Sequence, residues 1–354
     1  EIYYSDLSSD HLYKIQLISL AILISNPEKK NTGDVDSILK FLKSNSNPVI
    51  VSPTLPSKFW SKLKSHSKKH GVIEPSSNSG ENYSGNVSGS SPTPEQRSFN
   101  PDLGNNKDFD LSKSAKGAHE QPTQVFGVSL NKLTEAHGVD SDLSLGSNRI
   151  RIPLVLDELI ASLKQLDLSM EGLFRINGNI RKLREFTEEI NANPGNVPDF
   201  SGENAIQLAA LLKKFFRELP EPLLTTTLYN LWAGSMHDFD RMKLVYALLP
   251  KYHRNCCEVL FSFLKYVSTF SSGSKMDIHN LGTVFAPNIL YSSEENTHAD
   301  SGIAIQVVED LIRSNEQMVS VPDNLMELLK KTLDAKLTTD FATINDYLKS
   351  KGVI

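Results

Sequence analysis

The sequence predicts an all-α protein: a helical bundle over residues 121–330, preceded by a further helical segment. Three observations predict it. Apolar residues recur at three- and four-residue intervals through most of the C-terminal part, the spacing of a helix face. No sustained run of alternating apolar and polar residues appears. The breaks between periodic stretches fall at prolines and at short polar residues that suit helix caps.

The elements follow in order. Ser8 or Ser9 caps a helix with Leu12, Ile15, Ile18 and Ile22 on one face, and Pro27 ends it. Asp34 caps a shorter pattern of Val35, Ile38, Leu39 and Leu42. Lys58-Phe59-Trp60-Ser61-Lys62-Leu63-Lys64, running on to Lys68 and Lys69, is a basic amphipathic segment. Residues 1–72 are therefore read as an N-terminal helical extension. Its apolar faces are expected to pack on the bundle, and contact of Lys58 to Lys69 with anionic lipid is the alternative. Residues 73–120 are rich in Ser, Asn, Gly, Pro and Asp and poor in large apolar residues. Such a composition buries too little surface to offset chain entropy, so it is read as a disordered linker. Its Ser91-Pro92 and Thr93-Pro94 pairs fit proline-directed phosphorylation.

The dense apolar pattern resumes at Phe126. Pro153 opens a helix carrying Leu156, Leu159, Ile160 and Leu163. Ile180, Leu183, Phe186 and Ile190 mark the next helix. Another starts near Glu203 or Asn204 and carries Ile206, Ala209, Leu212, Phe216 and Leu219 before Pro220 stops it. Further helical patterns cover 244–249, 258–267 and 302–314. Residues 331–354 are a tail with one more short helix expected at 338–350.

Bulk properties narrow the function. The 354 residues carry a formal charge of −5, so a basic coat for nucleic acid is absent and no nucleic-acid partner is expected. A hydrophobic content of 39% agrees with part of the chain being linker. The two cysteines, Cys256 and Cys257, are adjacent and make a poor metal pair, so no metal site is expected. Scarce cysteine favours a reducing, intracellular setting. Leu12 to Ile24 is too short and too interrupted to span a bilayer, and no signal peptide pattern occurs. The chain is read as a fragment of a larger cytosolic protein.

The sequence contains no GxxxxGK[ST], HExxH or GxSxG motif, so a self-contained nucleotidase or hydrolase is poorly supported. His279 beside Asp277 reads as a polar cap position. Three blocks remain. The first is Glu171-Gly172-Leu173-Phe174-Arg175-Ile176-Asn177-Gly178, a loop between two helices. Its glycines permit tight turns, and Phe174 can anchor the loop in the core. Taken alone, Arg175 reads as a surface ion pair. The second is Leu211-Leu212-Lys213-Lys214-Phe215-Phe216-Arg217-Glu218-Leu219-Pro220-Glu221-Pro222-Leu223-Leu224. Lys213 and Arg217 are four apart and share a helix face opposite Leu212, Phe216 and Leu219, either as a solvated stripe or as an electropositive patch. The third is Met276-Asp277-Ile278-His279-Asn280-Leu281-Gly282-Thr283-Val284-Phe285-Ala286-Pro287-Asn288. Asn288, near the end of a helix begun at Asp277, either closes a turn or offers its amide to a partner. Asn280, eight residues earlier on nearly the same face, does the same or is structural.

In this order and at these distances, the three blocks resemble the RhoGAP domain over roughly residues 126–330. The resemblance implies a RhoGAP-type helical bundle that activates a Rho-family small GTPase. By that resemblance Arg175 matches the arginine finger supplied in trans, Lys213 supports the finger loop and touches the GTPase, Arg217 buttresses that loop, and Asn288 contacts the switch surface. It also implies no cofactor of its own, GTP and Mg2+ being held by the partner, so that the chain completes a catalytic site rather than being an enzyme by itself. Asn177, where many members have Ser, and Ala286, where many have Gly, are small departures that bear on rate or partner preference. Glu1-Ile2-Tyr3-Tyr4-Ser5-Asp6-Leu7, the Lys58-Phe59-Trp60 segment and Gly273 to Leu281 look like fungal LIM-domain RhoGAPs, whose zinc-binding repeats are not in this sequence. That likeness implies cytoplasmic action at sites of polarised growth and cell-wall synthesis. A non-catalytic Rho GTPase-binding scaffold is the alternative reading.

Overall fold

The computed structural model describes residues 2–25, 34–46, 124–146, 148–292 and 301–354. The basic segment at Lys58 to Lys69, the linker at 73–120 and its Ser-Pro and Thr-Pro pairs lie outside the described residues. Among the described residues the architecture is all-helical but for one small hairpin. The helices are α1 (Ser9–Ser25), α2 (Val35–Asn45), α3 (Leu130–His137), α4 (Leu154–Leu163), α5 (Ile180–Ala192), α6 (Ala205–Arg217), α7 (Tyr229–Ala233), α8 (Phe239–Leu248), α9 (Lys251–Ser268), α10 (Ser271–Ser274), α11 (Ile278–Ile289), α12 (Ser301–Met318), α13 (Asp323–Asp334) and α14 (Phe341–Ser350).

Short polar residues set many of the helix starts. The side chains of Asp34, Asn179, Asn204, Asp238, Asp277 and Asp340 each accept a hydrogen bond from a backbone N–H of the first turn that they precede. Each cap satisfies a donor with no partner inside the helix, typically worth about 1 kcal/mol. Pro153, Pro250 and Pro322 stand immediately before α4, α9 and α13. The expected boundaries at Asp34, Asn204 and Pro153 coincide with the observed ones. The helix stopped by Pro220 ends at Arg217, so Leu219 packs from beyond its end.

The hairpin was not legible in the sequence. Strand β1 (Gly138–Ser141) pairs antiparallel with β2 (Ile150–Pro153), with Gly138 opposite Pro153 and Ser141 opposite Ile150. Four residues are too few for alternation to stand out against a helical background. β1 follows α3 without a loop. A Cβ at Gly138 would lie 2.3 Å from the Thr134 carbonyl oxygen, so only glycine permits that junction.

The core is one continuous cluster. α9 runs through it, and residues His253 to Phe261 are buried without a break. It packs against α11, α12, α3 and β2. α11 and α12 lie closely together: a Cβ at Gly282 would approach Glu309 Cγ to 2.8 Å. α1 packs on α8, α13 and α14. It is buried on more than the one face expected, for Lys14, Gln16 and Ser19 are enclosed with Ile15, Leu17, Ile18, Leu20, Ala21 and Leu23. Gln16 Nε2 donates to the carbonyls of Leu249 (3.1 Å) and Leu248 (3.4 Å), and Lys14 Nζ donates to Leu337 O at 3.1 Å. These bonds satisfy polar groups that burial would otherwise penalise.

Candidate functional site

The 171–178 loop joins α4 to α5 and is built from inside outwards. Gly172 takes φ +83°, and Phe174 also lies in the left-handed region at φ +64°. For a phenylalanine that conformation costs about 1–3 kcal/mol. The side chain supplies the offset. Phe174 is fully buried, its ring edge-on to Phe285 at 5.1 Å and to Phe263 at 6.3 Å between centroids. The next residue, Arg175, is turned outwards, with 63% of its side chain exposed. Its nearest acid is Glu171, 3.9 Å away and itself 70% exposed, a loose pair that leaves the guanidinium free to move. Arg175 N and Ile176 N both donate to Gly172 O, at 2.9 and 2.8 Å, closing the turn beneath the arginine.

The other two blocks grip this loop. Lys213 Nζ donates a short hydrogen bond to the Phe174 carbonyl oxygen. Lys213 is only partly exposed, and its ammonium is held below the ordinary lysine value, first by burial and then by the neighbouring Arg217 charge. Lys214 turns away to Glu218 and lies 5.6 Å from the Phe126 ring. Arg217 is exposed one turn beyond Lys213; its charge is felt there, and among the described residues it has no hydrogen bond to the loop.

Phe285, which receives the Phe174 ring, belongs to α11 and lies one turn before Asn288. Asn288 Nδ2 donates to Val284 O at 2.8 Å along the same helix. The end of α11 is tied back to the second block, because Leu224 N donates to Ile289 O at 2.9 Å. Asn280 stands at the opposite end of α11, exposed, with Nδ2 donating to Lys275 O at 2.8 Å. His279 Nδ1 lies 2.7 Å from Glu309 Oε1, away from the Asp277 cap. The fold thus brings Arg175, Lys213 and the Arg217 charge to one place, with α11 as their floor, whereas Asn280 and Asn288 occupy separate ends of that helix.

Two supports were missed by the sequence reading. Gln207, buried in α6, accepts from Asn179 N at 2.8 Å and returns Nε2 to Asn179 O at 3.3 Å, fixing the exit of the loop. A lone glutamine inside the apolar run Ala205-Ile206-Gln207-Leu208-Ala209-Ala210 was the signal. On the entry side, Gly172 N donates to Ser274 O at 3.3 Å. A Cβ at Gly273 would lie 2.7 Å from Ser169 O, so the two turns touch backbone to backbone.

Among the described residues no group of histidine, cysteine and carboxylate side chains could hold a metal, and no helix is long and apolar enough to cross a membrane. Cys256 and Cys257 are free and fully buried, and burial raises both thiols.

Residues 153–294 match the model of the RhoGAP domain. The chain is 48% identical over 258 residues to Rho-GTPase-activating protein LRG1 of Saccharomyces cerevisiae, covering 64% of this chain and 25% of that protein. It is 41% identical over 228 residues to Rho-type GTPase-activating protein 1 of Schizosaccharomyces pombe, covering 61% of this chain and 20% of that protein. The chain therefore spans a quarter or less of these curated relatives. The crystal structure of human Rho GTPase activating protein 15 aligns with a TM-score of 0.49 at 23% identity, covering 56% of this chain and 93% of that one. The matched residues 153–294, which contain the Arg175 loop, Lys213 and α11, are similar to the RhoGAP domain.

Proposed function

We propose that this chain stimulates GTP hydrolysis by a Rho-family small GTPase, with Arg175 entering the partner's nucleotide site. The observation that carries the reading is an exposed arginine on a backbone that is not free to yield. Phe174 is plugged into the core in a left-handed conformation, and Lys213 holds the same residue's carbonyl. Negative charge spreads over the transferring phosphoryl group and the leaving oxygen as the bond breaks, and an arginine placed there is worth roughly 10³ to 10⁵ in rate. Arginine stays protonated and offers several donors in fixed geometry. GTP and Mg2+ belong to the partner in this scheme, and this chain completes the site. Lys213 supports the loop, Arg217 adds positive charge toward an acidic partner, and Asn288 contributes its amide at the rim. Such charges also speed encounter. In this reading the chain acts in the cytoplasm, at sites of polarised growth and cell-wall synthesis.

A single-turnover hydrolysis assay across Rho, Rac and Cdc42 types tests the reading. Arg175→Ala is expected to lower the stimulated rate by about 10³-fold or more while leaving binding partly intact. Lys213→Ala is expected to weaken both binding and rate. An unchanged stimulated rate in Arg175→Ala would remove the arginine from the mechanism, and a chain that bound without stimulating any GTPase would be a scaffold.

A further inference from the structure

Of the nine large apolar side chains that stand exposed among the described residues, three fall between residues 170 and 180: Met170 (36%), Ile176 (47%) and Ile180 (82%). Single exposed apolar residues are ordinary on protein surfaces. Three within one short stretch around an exposed arginine call for another cause. Ile180 is the sharpest case. It is the first residue of α5, directly after the Asn179 cap. It continues the apolar stripe Leu183, Phe186 and Ile190, whose other members pack on or within the core. Ile180 extends that stripe beyond the bundle, where no described residue covers it. A β-branched residue brings no helical advantage at this position. Ile176 directly follows Arg175 and folds back over the loop: a Cβ at Gly172 would come within 2.4 Å of its Cδ1.

We propose that Ile176 and Ile180 form an apolar collar that docks on an apolar patch beside the nucleotide site of the partner GTPase, and that Ile180 determines how tightly this chain binds that partner. The proposal rests on the reading that Arg175 enters that site. Its occupant follows from continuity: Ile176 is the exposed neighbour of Arg175 and Ile180 opens the helix that leaves the same loop, so a surface that receives the Arg175 guanidinium borders on both. Covering them removes apolar surface from water, which favours association. The collar therefore contributes to affinity, and the arginine to the rate within the complex.

The test uses the full chain with a Rho-type GTPase that it stimulates. Single-turnover hydrolysis is titrated to separate the half-saturating concentration from the maximal rate. Binding to the same GTPase loaded with a non-hydrolysable GTP analogue is measured in parallel. Ile180→Ser and Ile180→Asp are expected to raise the half-saturating concentration and the dissociation constant about tenfold or more, with the maximal rate kept within about twofold. Ile180→Leu is expected to stay near the parent chain. Misfolding does not threaten the result, because Ile180 is exposed and an aspartate in the first turn of a helix favours the helix. Both constants unchanged in the Ser and Asp variants would overturn the collar. If the parent chain stimulates no GTPase, the functional reading fails by that outcome, and the analogue-binding arm still decides whether Ile180 touches the partner.

Discussion

Lys213 and Arg254 both direct a positive charge at backbone carbonyls, with opposite consequences. Lys213 grips the Phe174 carbonyl and leaves the following residue, Arg175, in solvent. Arg254 is 3% exposed. Its Nη1 donates to Leu249 O at 2.8 Å and to Ala247 O at 3.4 Å, and Tyr4 closes over it with the ring centre 4.8 Å from the guanidinium carbon. Gln16 binds the carbonyls of Leu248 and Leu249 on the same turn. At one turn the cation and the N-terminal segment seal the polar groups away. At the other the anchoring is all from beneath, and the upper side is open. The difference teaches that rigidity in this molecule does not depend on burial of the residue being presented. A buried neighbour and a gripped carbonyl suffice.

Removing the buried neighbour is the strongest way to break that comparison. Phe174→Ala takes away the plug between Phe285 and Phe263 and is expected to cost about 3–5 kcal/mol of unfolding free energy. Part of the backbone strain at residue 174 is expected to relax at the same time, so stimulated hydrolysis falls too. Urea unfolding and the single-turnover assay on the same preparation read both. A variant as stable as the parent chain would show that the plug does not hold the loop.

Acid tests the sealed side next. His253 is buried, with Nδ1 2.8 Å from Leu223 O. Burial lowers its pKa from 6.5 to about 4. The neutral ring is favoured in the folded state, so this contribution to stability is complete above pH 6.5 and is lost as the pH falls toward 4. The gap between those values is worth about 3 kcal/mol. Unfolding free energies measured between pH 7 and 4 are expected to fall more steeply in the parent chain than in His253→Gln. Equal slopes would show that His253 is not held neutral.

The smallest effect is expected at the open side. Glu171→Gln removes the loose partner of Arg175, and the expected change is under about 1 kcal/mol in stability with a stimulated rate within about twofold. A larger loss of rate would mean that Glu171 orients the arginine and that the loop is less self-sufficient than the Phe174 and Lys213 contacts imply.

Much of the fold was legible because its signals are local. Helix starts at Asp34, Asn204 and Asp277 declare themselves by a short acceptor ahead of an apolar period, and Pro153 marks another. The hairpin at 138–153 was not, because its strands are only four residues long. α1 reads as a one-faced helix, yet Lys14 and Gln16 are buried. Their partners, Leu337 and the Leu248–Leu249 turn, lie hundreds of residues away in the sequence, beyond the reach of any periodicity.

The sequence by itself determined that the chain is helical and where most of its helices begin. It also determined that Arg175, Lys213, Arg217 and Asn288 stand in three blocks whose order and spacing resemble one family. These properties depend on residue type and spacing along the chain. Only the tertiary structure decided that Phe174 adopts a left-handed conformation, that Gln207 and Ser274 fix the two ends of its loop, and that Ile180 is left uncovered by the described residues. Each of those depends on which distant side chain fills the space opposite, and a buried ring or an uncovered isoleucine is set by packing between elements.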